Sequence, residues 1–346
     1  MDLHPTEDQR MLDDAARRFL ADRHPPATAR AAAGKPHAAR LAQWREIAAQ
    51  GWPALLAPAA QDGLGLGMRE AWVVAEAAGR HLLSLPLAAN MVVLPTLCAA
   101  GVTGWAAQWA GAVMAGDTYF ADAAMRPDGS AFIEGAGEGV RALAARRLSA
   151  TALRLELQAP ASGSAGLDPT MPVARVVRPQ VLESAELEVK AGTWERLRTR
   201  LRLLRSAELL GAASAALEMA AAHARERRQF DRAIGANQAI KHRLADDWMA
   251  LDDARLAGIA AVAAHDAGAA SAERDSLYAP LLAVEAGRRA AQNAIQVHGA
   301  LGVTWECDAH LYLKRVLRLA AGLQAEVSRT ELLERIWESG DGRRAA

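Results

Sequence analysis

Between residues 227 and 238 the chain reads Arg227-Arg228-Gln229-Phe230-Asp231-Arg232-Ala233-Ile234-Gly235-Ala236-Asn237-Gln238. Cations and amides crowd a short turn that Gly235 closes, and a new helix begins near Asn237. A helix N-terminus with arginines beside it suits a phosphate or pyrophosphate, because free N–H groups and guanidinium forks both seek anionic oxygens. The same residues also fit a solvated charged turn between two bundle helices, since surface arginine is common. A second segment runs Gln296-Val297-His298-Gly299-Ala300-Leu301-Gly302-Val303-Thr304-Trp305-Glu306. It reads as a helix ending at glycine, where a missing Cβ lets the backbone approach a cofactor closely. An ordinary Gly-terminated helix looks the same. Gly63, Gly65 and Gly67 suggest a phosphate loop, but no strand precedes them and no Gly-Lys-Ser/Thr follows, so that reading is rejected. Cys98 and Cys307 give neither a zinc spacing nor a disulfide framework, and no metal site is expected.

The elements that must hold these segments are mostly helical. Thr6 caps a helix with acids in its first turn and Met11, Leu12, Ala15, Phe19 and Leu20 at helical spacing. Residues 41–50, 68–78 and 87–100 continue the pattern, with Pro95 expected to kink or interrupt the last. Between 117 and 190 the texture changes to short runs among Gly, Pro and Ser clusters. Alternation in Leu153-Arg154-Leu155-Glu156-Leu157 marks a half-buried strand. From about Gly192 long helices return, over 201–227, 238–266, 277–297 and 310–319, as in an antiparallel bundle. Gly340 to Ala346 reads as a frayed tail.

The 346 residues carry 40 Lys and Arg against 40 Asp and Glu, so charge gives no reason to expect nucleic acid or an anionic membrane as partner. The start, Met1-Asp2-Leu3-His4-Pro5, lacks the apolar stretch of a signal peptide, and no uncharged run is long enough to span a bilayer. A cytoplasmic location is the default expectation.

The 227–246 segment resembles the acyl-CoA dehydrogenase pattern Arg-x-Gln-Phe-x-x-x-Ile-Gly-x-x-Gln-x-x-x-His-x-Leu-Ala-Asp at every fixed position. The 296–306 segment is similar to that family's Gln-x-x-Gly-Gly-x-Gly-x-x-x-Glu, with Ala300 in place of the second Gly, a change tolerated if φ there is negative. Pro5 to Arg10, and Gly51-Trp52 with Leu55-Leu56-Ala57-Pro58 and the glycine loop, resemble its N-terminal part. The resemblance implies a mostly α fold with a small β domain: an N-terminal helical domain over 1–115, a β-barrel-like middle domain over 116–190 and a C-terminal four-helix bundle over 191–346. It implies FAD as cofactor, an acyl-CoA as substrate, and oxidation of the thioester to an enoyl-CoA. It assigns cofactor contacts to Arg227, Gln229, Phe230, Gln238, Gln296, Gly299 and Ala300, some of them across a subunit interface. A homo- or hetero-oligomer with a related subunit follows, and Ala212, Ala213, Ala215 and Ala216 would let bundle helices of two subunits pack closely.

The pattern breaks in two places. The family's Thr-Glu-Pro and Trp-Ile-Thr segments, which cradle the flavin ring, are replaced by residues 120–125 and 138–142. The base, usually a Glu in a Tyr-Glu-Gly-Thr segment, is replaced by Gln324, and the alternative position near Leu201 carries no carboxylate. Glu326, two residues on, is the remaining candidate, although it also fits a solvent-facing acid beside Glu331 and Glu334. The chain therefore reads as an acyl-CoA dehydrogenase active alone, or as the base-lacking subunit of a heteromer that oxidises a bulky acyl or steroid side-chain CoA ester. The alternative is a non-catalytic structural subunit that binds no flavin.

Overall fold

The computed structural model describes residues 3–32, 37–164 and 166–339. The tail from Gly340 lies outside the described residues. Eleven α-helices and eight strands are present among them, in the order helices, strands, helices.

The described residues form two compact units, each drawn from separated stretches of chain. One gathers residues up to Ala27, Trp72–Leu83 and everything from Arg202 on; the other gathers Thr28–Ala71 and Ser84–Leu201.

In the first unit, α1 (Glu7–Arg23) opens with a capping box. The Gln9 N–H donates to Thr6 Oγ1 at 3.2 Å, and the Thr6 N–H donates to Gln9 Oε1 at 3.1 Å. The bundle consists of α7 (Thr193–Glu226), α8 (Gln238–Asp266), α9 (Ala272–His298) and α10 (Ala309–Glu326), with α11 (Arg329–Ser339) packed on α9. Glycines set how closely helices approach. A Cβ on Gly211 of α7 would fall 2.0 Å from the Glu76 carbonyl oxygen of α4 (Met68–Arg80), and one on Gly79 would fall 1.9 Å from that of Glu208. The backbones of α4 and α7 thus touch where they cross. Gly258 of α8 makes room for the Trp72 ring, 2.0 Å from where its Cβ would lie. Ala212, Ala213 and Ala216 are fully buried within this unit. They pack their own chain's helices, and the expectation that they face another subunit is corrected.

Charge is buried here only where it is paired. Glu76 accepts from Trp72 Nε1 at 3.2 Å and from Arg255 Nε at 3.0 Å, tying α4 to α8. Arg315, fully buried, donates to the carbonyls of Leu83 at 3.0 Å and Leu82 at 3.3 Å, and to Glu208 Oε1 at 3.0 Å. It thereby holds a turn in which Leu82 adopts φ 52°. His81, beside that turn, is pulled down to about 4 by burial first, and then by Arg80, Arg17 and His24. A depressed histidine is kept neutral by the fold. Its contribution to stability is present above pH ~6.5 and is lost as pH falls toward 4. Since the ring is partly exposed, about 1–2 kcal/mol is expected, well below the full shift. Urea unfolding at pH 7.5 and 4.5 checks this: His81→Gln should be less acid-sensitive than the wild type, and an identical acid loss would exclude His81 as its source.

In the second unit, α5 (Leu87–Ala99) runs through Pro95 without interruption. Trp44 of α3 (His37–Ala49) is fully buried and donates to the Val113 carbonyl at 3.1 Å, at the end of α6 (Trp105–Met114). The strands are β1 (Ala121–Met125), β2 (Ala131–Glu134), β3 (Ala142–Arg147), β4 (Ala152–Gln158), β5 (Val173–Val176) and β6 (Val181–Glu188), in the sheet order β5-β2-β1-β3-β4-β6. Leu153, Leu155 and Leu157 of β4 point inward and are fully buried, as alternation requires. Only residues 177–180 join β5 to β6, the two edges. Six flat strands would set those edges ~24 Å apart, whereas such a link reaches at most ~17 Å. The sheet must therefore roll toward closure, as the barrel-like expectation holds. Among the described residues, no helix is long and apolar enough to cross a membrane.

Candidate cofactor site

The expected turn after α7 is a tight β-hairpin, β7 (Arg228–Gln229) and β8 (Arg232–Ala233). Phe230 and Asp231 at its tip have φ 52° and 63°. Two successive left-handed residues give the hairpin turn that asparagine and glycine normally supply, and a phenylalanine there is strained. The Phe230 side chain is 96% exposed. Strain combined with full exposure of a large apolar ring makes Phe230 a candidate for a contact outside its own chain.

Around this tip the polar groups divide. Arg228 donates to the Asp231 carbonyl at 2.7 Å, and Arg232 donates to Asn237 Oδ1 at 2.6 Å. Both brace the hairpin. Gly235 closes it against α7, with the Ala224 carbonyl oxygen 2.8 Å from where a Cβ would sit. Arg227 is exposed, and its guanidinium makes no hydrogen bond or ion pair with any described residue. Gln229 and Gln296 are likewise exposed. Gln238, at the start of α8, accepts through its Oε1 from His242 Nε2 at 2.8 Å.

The two sequence segments meet at one end of the bundle. His223 in the last turn of α7 stacks on His298 at the end of α9, ring centroids 4.5 Å apart. Gly299 then turns the chain with φ 64°, and a Cβ there would meet nothing within 4 Å. The left-handed conformation falls on Gly299 and not on Ala300, so the alanine is accommodated. Arg227, Gln229 and Phe230 on one side and Gln296, Gly299 and Ala300 on the other therefore hang from two helix ends in ring contact. This end offers an unpaired guanidinium, free amides and open backbone, which fits the phosphates of a large anionic cofactor. His223 was not singled out from the sequence, although its place one helical turn before Arg227 is the signal that could have found it.

In the other unit, residues 120–125 and 138–142 do come together. β1 and β3 pair in parallel, Ala121 opposite Ala142. Asn90 pins the entry to β1 by donating to the Phe120 carbonyl at 2.8 Å and accepting its N–H at 3.0 Å. The Arg141 guanidinium lies 4.5 Å over the Trp109 ring. The strands present Ala121, Ala123, Ala124 and Met125, without the threonine and glutamate of a flavin-ring cradle. The expected segments are thus adjacent, but their chemistry is altered.

The base positions are also placed. Gln324 lies in the last turn of α10, exposed, at the rim of a small apolar pocket lined by Arg202, Leu281, Val284, Leu323 and Leu332. Ala325 follows it, and the helix continues through that residue. Leu201 is buried. Glu208 pairs with Arg315 at 3.0 Å and Glu218 with Arg80, so neither of these two carboxylates of α7 is at liberty. Glu326 ends α10; its side chain lies outside what is described. Among the described residues no cluster of His, Cys, Asp and Glu could hold a metal ion.

Acyl-CoA dehydrogenase IpdE2 of Mycobacterium tuberculosis is 32% identical over 97% of this chain and 99% of its own. The chain belongs to the acyl-CoA dehydrogenase family. The family models for the acyl-CoA dehydrogenase N-terminal and C-terminal domains match residues 6–117 and 195–336. The fold agrees. The ChsE4-ChsE5 complex from Mycobacterium tuberculosis contains a chain that superimposes with a TM-score of 0.80 at 23% identity, covering 98% of both chains. A variant of the Tcur3481-Tcur3483 steroid ACAD gives 0.76 at 22%, covering 98% of this chain and 99% of that one. These acyl-CoA dehydrogenase folds share the layout of helical, sheet and helical parts found here.

Proposed function

We propose that this chain is a subunit of a heteromeric, FAD-linked acyl-CoA dehydrogenase that oxidises a bulky acyl or steroid side-chain CoA ester, with the catalytic base supplied by a related subunit. The observation that carries this reading is the Arg227–Phe230 hairpin, whose guanidinium and ring are presented outward with no partner among the described residues. Bound FAD would supply the hydride acceptor for the β-hydrogen of the thioester. This chain's part is to hold that cofactor. Arg227 places charge-assisted hydrogen bonds on the pyrophosphate, Gln229, Gln238 and Gln296 add amide contacts, and Phe230 covers an apolar part. The open backbone at Gly299 and Ala300 allows close approach. The α-proton leaves to a carboxylate that this chain does not provide at Gln324 or near Leu201.

Further support for a partner comes from the exposed apolar side chains on α8 and beyond it, Trp248, Met249, Val303 and Trp305, all more than half exposed. Two structural relatives are themselves pairs of chains. The altered strands β1 and β3 favour a second reading, a structural subunit without flavin. One experiment separates the two. Titration of the wild-type assembly with FAD should show binding, and Arg227→Ala should weaken it by roughly tenfold to a hundredfold, one charge-assisted bond being worth about 1.5–3 kcal/mol. Equal affinity would reduce Arg227 to a surface charge, and a colourless assembly that takes up no FAD would favour the structural subunit.

A further inference from the structure

We propose that His223 and His298 are positioning residues whose ring stack clasps the end of α7 to the end of α9, fixing the Arg227 hairpin beside the Gly299 turn. The inference rests on the cofactor reading above for its purpose and on geometry for its substance.

His298 is the anchored member. Its Nδ1 lies 2.7 Å from the Ala294 carbonyl oxygen, and since a carbonyl only accepts, Nδ1 carries the hydrogen. The ring is 7% exposed. The turn after α9 closes over it, because a Cβ on Gly302 would fall 2.9 Å from the His298 Cβ. His223 has no such brace and takes its place from the stack, at 4.5 Å and an interplanar angle of 23°. The hairpin hangs directly from His223. The Arg227 N–H donates to the His223 carbonyl at 2.8 Å, and the Ile234 N–H donates to the Arg227 carbonyl at 2.8 Å. A rotation of the last turn of α7 would carry Arg227 and Phe230 with it. The stack opposes that rotation at a residue joined to both the helix and the hairpin.

The clasp is built to work neutral. Burial, then His298 and Arg227, hold the His223 ring below the usual histidine range, and Glu226 opposes them weakly. The charged and titratable groups facing it are therefore Glu226 on its own helix, Arg227 just beyond it and His298 on α9. A proton on the His223 ring adds a cation beside Arg227, so the clasp is present at neutral pH and weakens as pH falls below the ordinary histidine value.

Amide hydrogen exchange of residues 228–234 in the full chain tests this, alongside FAD titration of the assembly. Removing one aromatic contact by His298→Ala should speed exchange of the hairpin and weaken FAD each by roughly three- to tenfold. His298→Phe keeps a stacked ring and should restore both. Unchanged hairpin exchange in His298→Ala would overturn the proposal, as would a Phe variant that behaves like Ala. If the wild type takes up no FAD, the cofactor reading fails while the exchange result still decides the clasp. If His298→Ala does not fold, His223→Ala against His223→Phe makes the same comparison at the less buried ring.

Discussion

Purified alone and supplied with FAD, a range of acyl-CoA thioesters and an electron acceptor, the chain is expected to turn over at about 10²- to 10⁴-fold below the rate of its complete assembly, the usual worth of a positioned base. Activity should appear on mixing with a homologous subunit that carries a glutamate at the position of Gln324. The α-proton of a thioester is weakly acidic even with its carbonyl polarised, so its removal requires a desolvated carboxylate in reach. Gln324 is an amide and cannot accept the proton. Leu201 is buried among apolar side chains. Glu208 lies about 10 Å further along α7, nearly two turns, and is held by Arg315 and Arg318. Glu218 is held by Arg80. Ordinary enzyme rates from the isolated chain would end the partner-subunit reading. Glu326→Gln would then show whether Glu326 is the base.

The second large effect concerns stability. Arg315→Met should destabilise the chain by about 3–5 kcal/mol in urea unfolding, because it strips the mostly buried Glu208 carboxylate of its main partner and leaves two buried carbonyls bare. Glu208 would keep only Arg318, at 3.6 Å. The Leu82 turn, already in a left-handed conformation, would lose the donor that holds it. The double change Arg315→Met with Glu208→Leu should recover part of the loss, since the uncompensated charge is then removed as well. A loss below about 1 kcal/mol in the single variant would mean that the cluster contributes little beyond surface charge.

What could be read without coordinates follows from which signals are local. The first helix announces itself through Thr6 and its apolar spacing, and the capping box confirms the boundary. The bundle helices were legible because their apolar periodicity is long. The strands β1 and β3 were not, since Ala121-Asp122-Ala123-Ala124 and Ala142-Leu143-Ala144-Ala145 have the composition of helices. Their ladder partners override that preference. The 227–238 segment was readable as a turn closed by Gly235, but not as a hairpin, because Phe230 and Asp231 stand where asparagine and glycine are expected. The alanines of α7 misled for a related reason. Small residues mark close approach without saying to what, and here it is to α4 and α9 of the same chain, where Gly287 would place a Cβ 3.5 Å from Ala213. The ring contact between His223 and His298 joins residues 75 positions apart and has no local signature.

The interleaving of the two compact units along the chain also sets an order of events during synthesis. The segment up to Ala27 is made first, yet the unit it belongs to is completed only by the stretch beginning at Arg202. At a translation rate of about 5–20 residues per second, that leaves α1 waiting on the order of ten to forty seconds. Throughout that interval the face carrying Ala16 and Leu20, buried in the finished protein, can be covered from its own unit only by Trp72–Leu83. The burial of that face is thus completed only once the bundle is made, and slower translation lengthens the wait.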